Sequence, residues 1–419
     1  MKEMKNMLIA QSGGPSSAIN ASICGAIARG MASSRIKHVL GAVNGMQGFL
    51  ERKIINISDQ MKTSEDFDLL IHTPAHALGS SRYKIPQENK EIYGKIAEIL
   101  KEYNIGYFFF NGGNDSMDTV NKLSEHLKRN GEDIVAVGIP KTIDNDLELT
   151  DHCPGFGSAA RYVATSIAEL YLDTIVYPMP AVTVVEIMGR NAGWLTAASA
   201  LARETGVPAP HLIYLPEVDF DPDAFIEEAT RLIAKDRHIL IAVSEGLHTA
   251  DGNYIADKGS AVDMFGHKTL GGAATELEKQ LKHRVKIDGL KTRAVQLSTL
   301  QRSAAHCASN VDLSESYQCG YRAVEAAVNG KSGIMITIAR ISDIPYVVRY
   351  DEGNLDQIAN REKKVPAAWI TEGGTDVSEE MMVYLRPLVT GETSELIVGG
   401  LPRFFRFDLD KTVLPWEVA

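Results

Sequence analysis

Cysteine is scarce in this chain: Cys24, Cys153, Cys307 and Cys319 are all there are, and no two form a CxxC pair. Four thiols so far apart do not build a disulfide scaffold, and with no His/Cys cluster there is no zinc signature. They read as reduced structural thiols of a cytoplasmic protein. Long hydrophobic runs are also missing. No stretch reaches the roughly 18 apolar residues of a membrane span. The run from Met7 to Ala10 is too short for a signal peptide and meets a glycine turn at once. Nor is there an excess of positive charge. The formal net charge is −11, which speaks against sequence-independent nucleic-acid binding, since that needs Lys and Arg to neutralise phosphates. A small anionic substrate stays possible, because a few convergent cations suffice. Neither GxSxG nor HExxH occurs, so serine-hydrolase and zinc-hydrolase chemistry have no support.

What is present is an ordinary globular composition, 44% hydrophobic and 23% charged over 419 residues, enough for two to three domains. The recurrent pattern is apolar run, glycine turn, helix. Met7–Gln11 leads to Gly13-Gly14-Pro15 and a helix from Ser17 toward Arg29. Tyr107–Asn111 leads to Gly112-Gly113 and a helix ending near Arg129. Ile134–Ile139 is closed by Pro140. Val182–Ile187 leads to Gly189 and an Ala/Leu-rich helix, and His238–Val243 leads to Ser244-Glu245-Gly246. Short apolar strands alternating with helices predict parallel sheets covered on both faces. There are too many units for one small sheet. The fold class expected is α/β, with two doubly wound Rossmann-like domains and a cleft between them. Ligands in such folds sit beyond the C-terminal ends of the strands. That singles out residues 12–20, 112–118, 140–146, 188–190 and 244–246. Beyond Ile344 the pattern loses regularity, with breaks at Pro345, Pro366, Pro387 and Pro402.

Two motif-like stretches are set aside. Asn329–Ser332 ends like a P-loop, but Glu325 stands where its first glycine belongs. Gly155–Ala160 fits GxGxxA but follows Pro154 and polar residues instead of a strand, so it reads as a helix start. The two glycine turns suit phosphate, because free N–H groups and the helix dipole favour an anion; each alone also fits a plain strand-to-helix turn. Asp115 in the second turn would repel an anion unless a cation intervenes. Pro140–Asp146 (Pro-Lys-Thr-Ile-Asp-Asn-Asp) carries the densest chemistry. In an extended segment Asp144 and Asp146 would face one side, one as general base and the other orienting a ligand or metal, with Lys141 beside them. An Asx turn with solvated acids is the alternative. Arg190, after a strand, suits a fork on phosphate oxygens or a surface ion pair. Arg293 and Arg302 add cations.

Together, Gly13-Gly14-Pro15, Gly79-Ser80-Ser81-Arg82, Gly112–Ser116, Pro140–Asp146, Met188-Gly189-Arg190 and Ser244-Glu245-Gly246 resemble the phosphofructokinases, in order, over about residues 7 to 340. The resemblance implies a phosphoryl donor and fructose 6-phosphate in the cleft. It implies Asp144 as the base for the sugar 1-hydroxyl, with Lys141 and Arg190 assisting transfer. Thr142, Asp146, Met188, Gly189, Glu245, Arg293, Thr299 and Arg302 would line the sugar phosphate, Arg293 reaching in from a neighbouring subunit. Gly13, Gly14, Arg82, Gly113, Asp115 and Ser116 would line the donor, and Asn114 stands where the family carries a Mg²⁺-associated Asp. Asp115 and Lys141 replace the glycines of ATP-dependent members, and this pair resembles the pyrophosphate-dependent branch. An ATP-dependent enzyme and transfer to sedoheptulose 7-phosphate are the alternatives. The latter arises because Ala181 and Thr299 replace a family Arg and His; Arg161 is a substitute cation to test. The resemblance also implies a homodimer or homotetramer. Residues 1–155 plus about 302–345 are expected to form the donor domain, 156–301 the sugar-phosphate domain, and 346–419 a C-terminal extension packing on both.

Overall fold

The computed structural model describes residues 4–81, 83, 85, 90–255, 272–394 and 396–418. Eleven strands in two sheets position the site. β1 (Lys5–Gln11), β2 (Ile36–Ala42), β3 (Ile54–Asn56), β4 (Ile105–Gly112), β5 (Val135–Pro140), β10 (Ile334–Asp343) and β11 (Tyr346–Asn354) form a sheet in the order β11-β10-β5-β4-β1-β2-β3. Its centre is parallel; β3 and β11 run antiparallel at the two edges. β6 (Ala181–Ile187), β7 (Leu212–Tyr214), β8 (His238–Ser244) and β9 (Lys291–Gln296) form a parallel sheet in the order β7-β8-β6-β9.

The apolar runs are continuous because both faces of the large sheet are covered. Leu8, Ala10, Phe108 and Phe110 feed one buried cluster, while Met7, Ile9 and Phe109 feed the other. The chain leaves β1 toward β2 and returns on its other side at β4. The crevice of this reversal therefore opens beyond Gln11 and Gly112, where the glycine turns lie. A third cluster joins Val185 and Ile187 of β6 to Ile143 after β5 and to Tyr384 and Leu388 near the C-terminus. The two sheets are thus welded beside the Asp144 loop.

Gly155 caps the Phe156–Thr174 helix from a left-handed conformation, φ 101°. Two N–H groups at this helix start donate to the buried Asp312 carboxylate, Gly155 at 2.8 Å and Ser158 at 3.0 Å. A carboxylate already fills the anion position, so the GxGxxA stretch is a capped helix start, as read. The chain after residue 345 is more regular than its prolines suggest. Its first nine residues are β11, paired with β10 along the edge of the large sheet. Among the described residues, no helix is long and apolar enough to cross a membrane.

Candidate active site

The ends of β1, β4 and β5 meet at one side chain. Lys141 is buried and its ammonium donates to the Gly14 carbonyl at 2.7 Å. Its own N–H donates to the Gly112 carbonyl at 3.0 Å. The lysine therefore ties the first glycine turn to the second. Gly13 has φ +81°, and a Cβ there would stand 3.0 Å from the ammonium, so glycine is needed for conformation and for space. Burial pushes the Lys141 pKa down to about 8, while Asp144 and Asp146 oppose that shift.

The carboxylate loop is a bend, not the extended segment expected. Asn145 sits at φ +57°. Its buried amide donates to Tyr384 Oη at 2.8 Å and accepts from Cys153 N–H at 2.9 Å. Thr142 Oγ1 accepts from Asp144 N–H at 3.1 Å. The acids still share one enclosed space. Burial, then Glu245, raises the Asp144 pKa; burial, then Asp144, raises that of Asp146. Asp146 Oδ1 is buried with no hydrogen-bond partner among the described residues. These are enclosed acids, and the solvated Asx turn is set aside.

From the small sheet, Met188-Gly189-Arg190 follows β6. Gly189, at φ +127°, lets its N–H approach Glu245 Oε1 at 3.4 Å, while its carbonyl accepts from Ser244 Oγ at 2.6 Å. Burial raises the Glu245 pKa, and Arg190 and Arg302 oppose it. Arg190 Nε is buried and has no partner among the described residues. Met188 N–H donates to Gln301 Oε1 at 3.1 Å, docking this loop on the Leu300–Ser303 turn that carries Arg302. A Cβ on Gly14 would lie 3.4 Å from Arg302 Nη1, so Arg302 reaches the first glycine turn. Ser116 is buried behind Gly112 and Gly113, whereas Asp115 and Thr299 are exposed.

Two expectations are corrected. Asn114 does not offer a free oxygen to a metal. Its Oδ1 accepts from Asn360 N–H at 2.9 Å and its amide nitrogen donates to the Arg361 carbonyl. Arg161 is no substitute cation: it binds the Ala308 and Gly391 carbonyls and Glu392. Arg293, expected to act in a neighbouring subunit, stands partway down edge strand β9, ion-paired with Asp173 and outside this chain's own cluster. Arg82 lies outside the described residues.

The sequence reading missed several residues. His76 Nε2 lies 3.4 Å from the Ser12 carbonyl, and burial, then Lys141, holds its pKa down near 3. Tyr384 and Lys363 close on the carboxylate loop from more than 200 residues away. No local motif marks them.

The phosphofructokinase family model matches residues 6–327. The chain is 40% identical over 403 residues to the pyrophosphate–fructose 6-phosphate 1-phosphotransferase of Halomonas elongata, covering 95% of each. The crystal structure of a pyrophosphate-dependent phosphofructokinase from Marinobacter aquaeolei superposes with a TM-score of 0.86 at 37% identity, over 98% of this chain and 97% of that one. That of Nitrosospira multiformis gives 0.87 at 36% identity, over 98% of each. The chain belongs to the phosphofructokinase family.

Proposed function

We infer that this chain transfers a phosphoryl group from pyrophosphate to the 1-hydroxyl of fructose 6-phosphate, giving fructose 1,6-bisphosphate and phosphate. The observation that carries this reading is the buried Lys141 ammonium, bonded to Gly14 between the two glycine turns beside the enclosed Asp144. Asp144, ionised, accepts the hydroxyl proton as the oxygen attacks. Lys141 and Arg190 face the charge that spreads over the transferring group and the leaving phosphate. Thr142, Met188, Gly189, Glu245, Thr299 and Arg302 shape the sugar-phosphate side; Gly13, Gly14, Gly113, Asp115 and Ser116 shape the donor side. The sugar-phosphate domain is assigned to residues 156–301 and the donor domain to 1–155 plus about 302–345, with 346–419 packed on both; Thr142 and Arg302 serve the sugar phosphate from the donor domain.

Mg²⁺ suits this donor set. It keeps several waters and takes one or two carboxylates plus phosphate oxygens, and the unpartnered Asp146 oxygen beside Asp144 is such a donor. Asp146, with Asp144 behind it, would hold the ion; bound with pyrophosphate, it supplies charge neutralisation. We further propose a cytoplasmic homodimer or homotetramer, in which outward-facing Arg293 serves a neighbouring subunit.

The direct test is transfer to fructose 6-phosphate with Mg²⁺, comparing pyrophosphate and ATP at equal concentration through an aldolase-coupled assay. Pyrophosphate is expected to support turnover, and ATP less than about a hundredth of it. A preference for ATP would overturn the reading. Donor and leaving phosphate are similar in energy, so purified enzyme should also form pyrophosphate from fructose 1,6-bisphosphate and phosphate. An undetectable reverse rate would exclude reversible operation.

A pH dependence follows from Lys141. The ammonium is charged below its pKa of about 8. Its contribution to kcat/KM is therefore full on the acid side and lost as pH rises through that value. Bound pyrophosphate favours the charged form and moves the limb upward in kcat. Lys141→Arg should abolish this alkaline limb, because guanidinium stays charged. An unchanged limb in that variant would assign the titration elsewhere.

A further inference from the structure

Residues 360–365, Asn-Arg-Glu-Lys-Lys-Val, belong to none of the motifs above, yet they touch every side of the site. At the donor side, Asn114 opens the Asn114–Arg129 helix immediately after Gly112-Gly113. Its amide clasps the backbone of Asn360 and Arg361, and Asn360 Nδ2 donates to Asp118 Oδ1 at 2.9 Å. At the carboxylate loop, Lys363 N–H donates to the Asp146 carbonyl at 2.8 Å. The Lys363 ammonium donates to the carbonyls of Thr150 at 3.0 Å and Asp151 at 2.8 Å. At the sugar-phosphate side, Asn191, next to Arg190, donates to Glu362 Oε1 at 2.8 Å, and the Trp194 indole donates to the Lys363 carbonyl at 2.9 Å. The ammonium also stands 5.2 Å from the centre of the Trp194 ring. Val365 N–H and Gly193 N–H share Glu217 Oε1, at 3.0 and 2.9 Å.

One short segment therefore hydrogen-bonds the start of the donor-side helix, the backbone that carries Asp144 and Asp146, and the loop that carries Arg190. The first two belong to the large-sheet half and the third to the small-sheet half. Transfer needs its reacting groups aligned within a fraction of an ångström, and misalignment costs rate more than binding. The bonds to Asp146, Thr150 and Asp151 all end on backbone atoms, so they fix the course of the loop and leave its carboxylates free to act. Asn is suited to position 114 because it donates and accepts at once; Asp could only accept, and would face the Arg361 carbonyl with a negative oxygen.

We propose that residues 360–365 are a positioning strap, anchored by Asn114 and Lys363, that sets the alignment of the carboxylate loop, the donor turn and the Arg190 loop. The proposal rests on the transfer reaction inferred above for its kinetic consequence, but not for its structural one.

The test uses the full chain carrying Lys363→Met or Asn114→Ala. The second variant lies on a partly exposed first helical turn, which protects the experiment if the buried change impairs folding. Steady-state kinetics with pyrophosphate and fructose 6-phosphate should show kcat lowered about thirtyfold in Lys363→Met and about tenfold in Asn114→Ala, with both KM values within about threefold. Melting temperatures should fall by no more than a few degrees. Amide hydrogen exchange, read without turnover, should quicken about tenfold or more at residues 144–151 and stay unchanged in β1 and β4. Retained kcat in folded variants, KM rising in proportion to the loss of kcat, or unchanged exchange at 144–151 would each overturn the strap. An unsubstituted chain that transfers nothing from pyrophosphate would instead overturn the reaction, and the exchange measurement would still decide the strap.

Discussion

Asp144→Asn should lower kcat about a thousandfold while leaving the affinity for fructose 6-phosphate within about threefold. The amide keeps the size of the carboxylate and still accepts one hydrogen bond, so the pocket stays filled. What is lost is the proton acceptor. Burial, then Glu245, already raises the pKa of Asp144, with Lys141, Arg190 and Arg302 pulling the other way. A base held by opposing influences above the usual carboxylate range is a better acceptor than a solvated aspartate and stays ionised near neutrality. Asp146→Asn should behave differently. Its carboxylate has an unpartnered oxygen suited to a metal, so the loss should respond to added Mg²⁺, whereas that of Asp144→Asn should not. Equilibrium binding of the sugar phosphate beside single-turnover rates separates the two. If Asp144→Asn kept more than about a tenth of the rate, proton abstraction would belong to another group, and the enclosed loop would have to be read as an orienting device.

Which parts of this molecule were legible in the sequence follows from how local their causes are. The central strands announced themselves because a parallel strand buried on both faces must be apolar throughout, as Phe108, Phe109 and Phe110 are. The glycine turns and Lys141 were legible because one requirement, backbone close to an anion, dictates glycine locally. Strand β9 was not, since it lies at an edge with alternating exposure and polar residues. The edge strand β11 was missed for the same reason. The misreading of Asn114 is the most instructive. Its position in the motif suggested a metal, but its partners, Asn360 and Arg361, lie about 246 residues away, and no spacing rule reaches that far. Asn145 is similar. Its left-handed conformation and its bond to Tyr384 turned an expected extended pair of acids into a bend. Long-range partners decide such details, and a single sequence does not display them.

Replacing both Asp115 and Lys141 by Gly should lower pyrophosphate-dependent turnover about a thousandfold and bring in detectable turnover with ATP. The two positions contribute unequally, and burial says how. Asp115 is exposed. Its repulsion of a nucleotide's α-phosphate is screened, worth at most about 1 kcal/mol, or roughly fivefold in affinity. Lys141 is enclosed, with its ammonium wedged against Gly13 and bonded to Gly14. There a charge acts through less solvent, and removing a donor aimed at developing charge costs about 10²–10³ in rate. Lys141→Gly alone should therefore account for most of the lost pyrophosphate activity. It also vacates the space between the two turns, which a longer polyphosphate needs. Asp115→Gly alone should change pyrophosphate turnover by less than about fivefold and give little ATP activity while the lysine still fills that space. Kinetics of both single variants and the double variant, with each donor, form a double-mutant cycle, and the coupling between the sites should be positive for ATP. If the double variant used ATP no better than the unsubstituted enzyme, neither side chain would be the donor filter. The discrimination would then have to reside farther along the donor side, where Asn360 and Arg361 close over the start of the Asn114 helix.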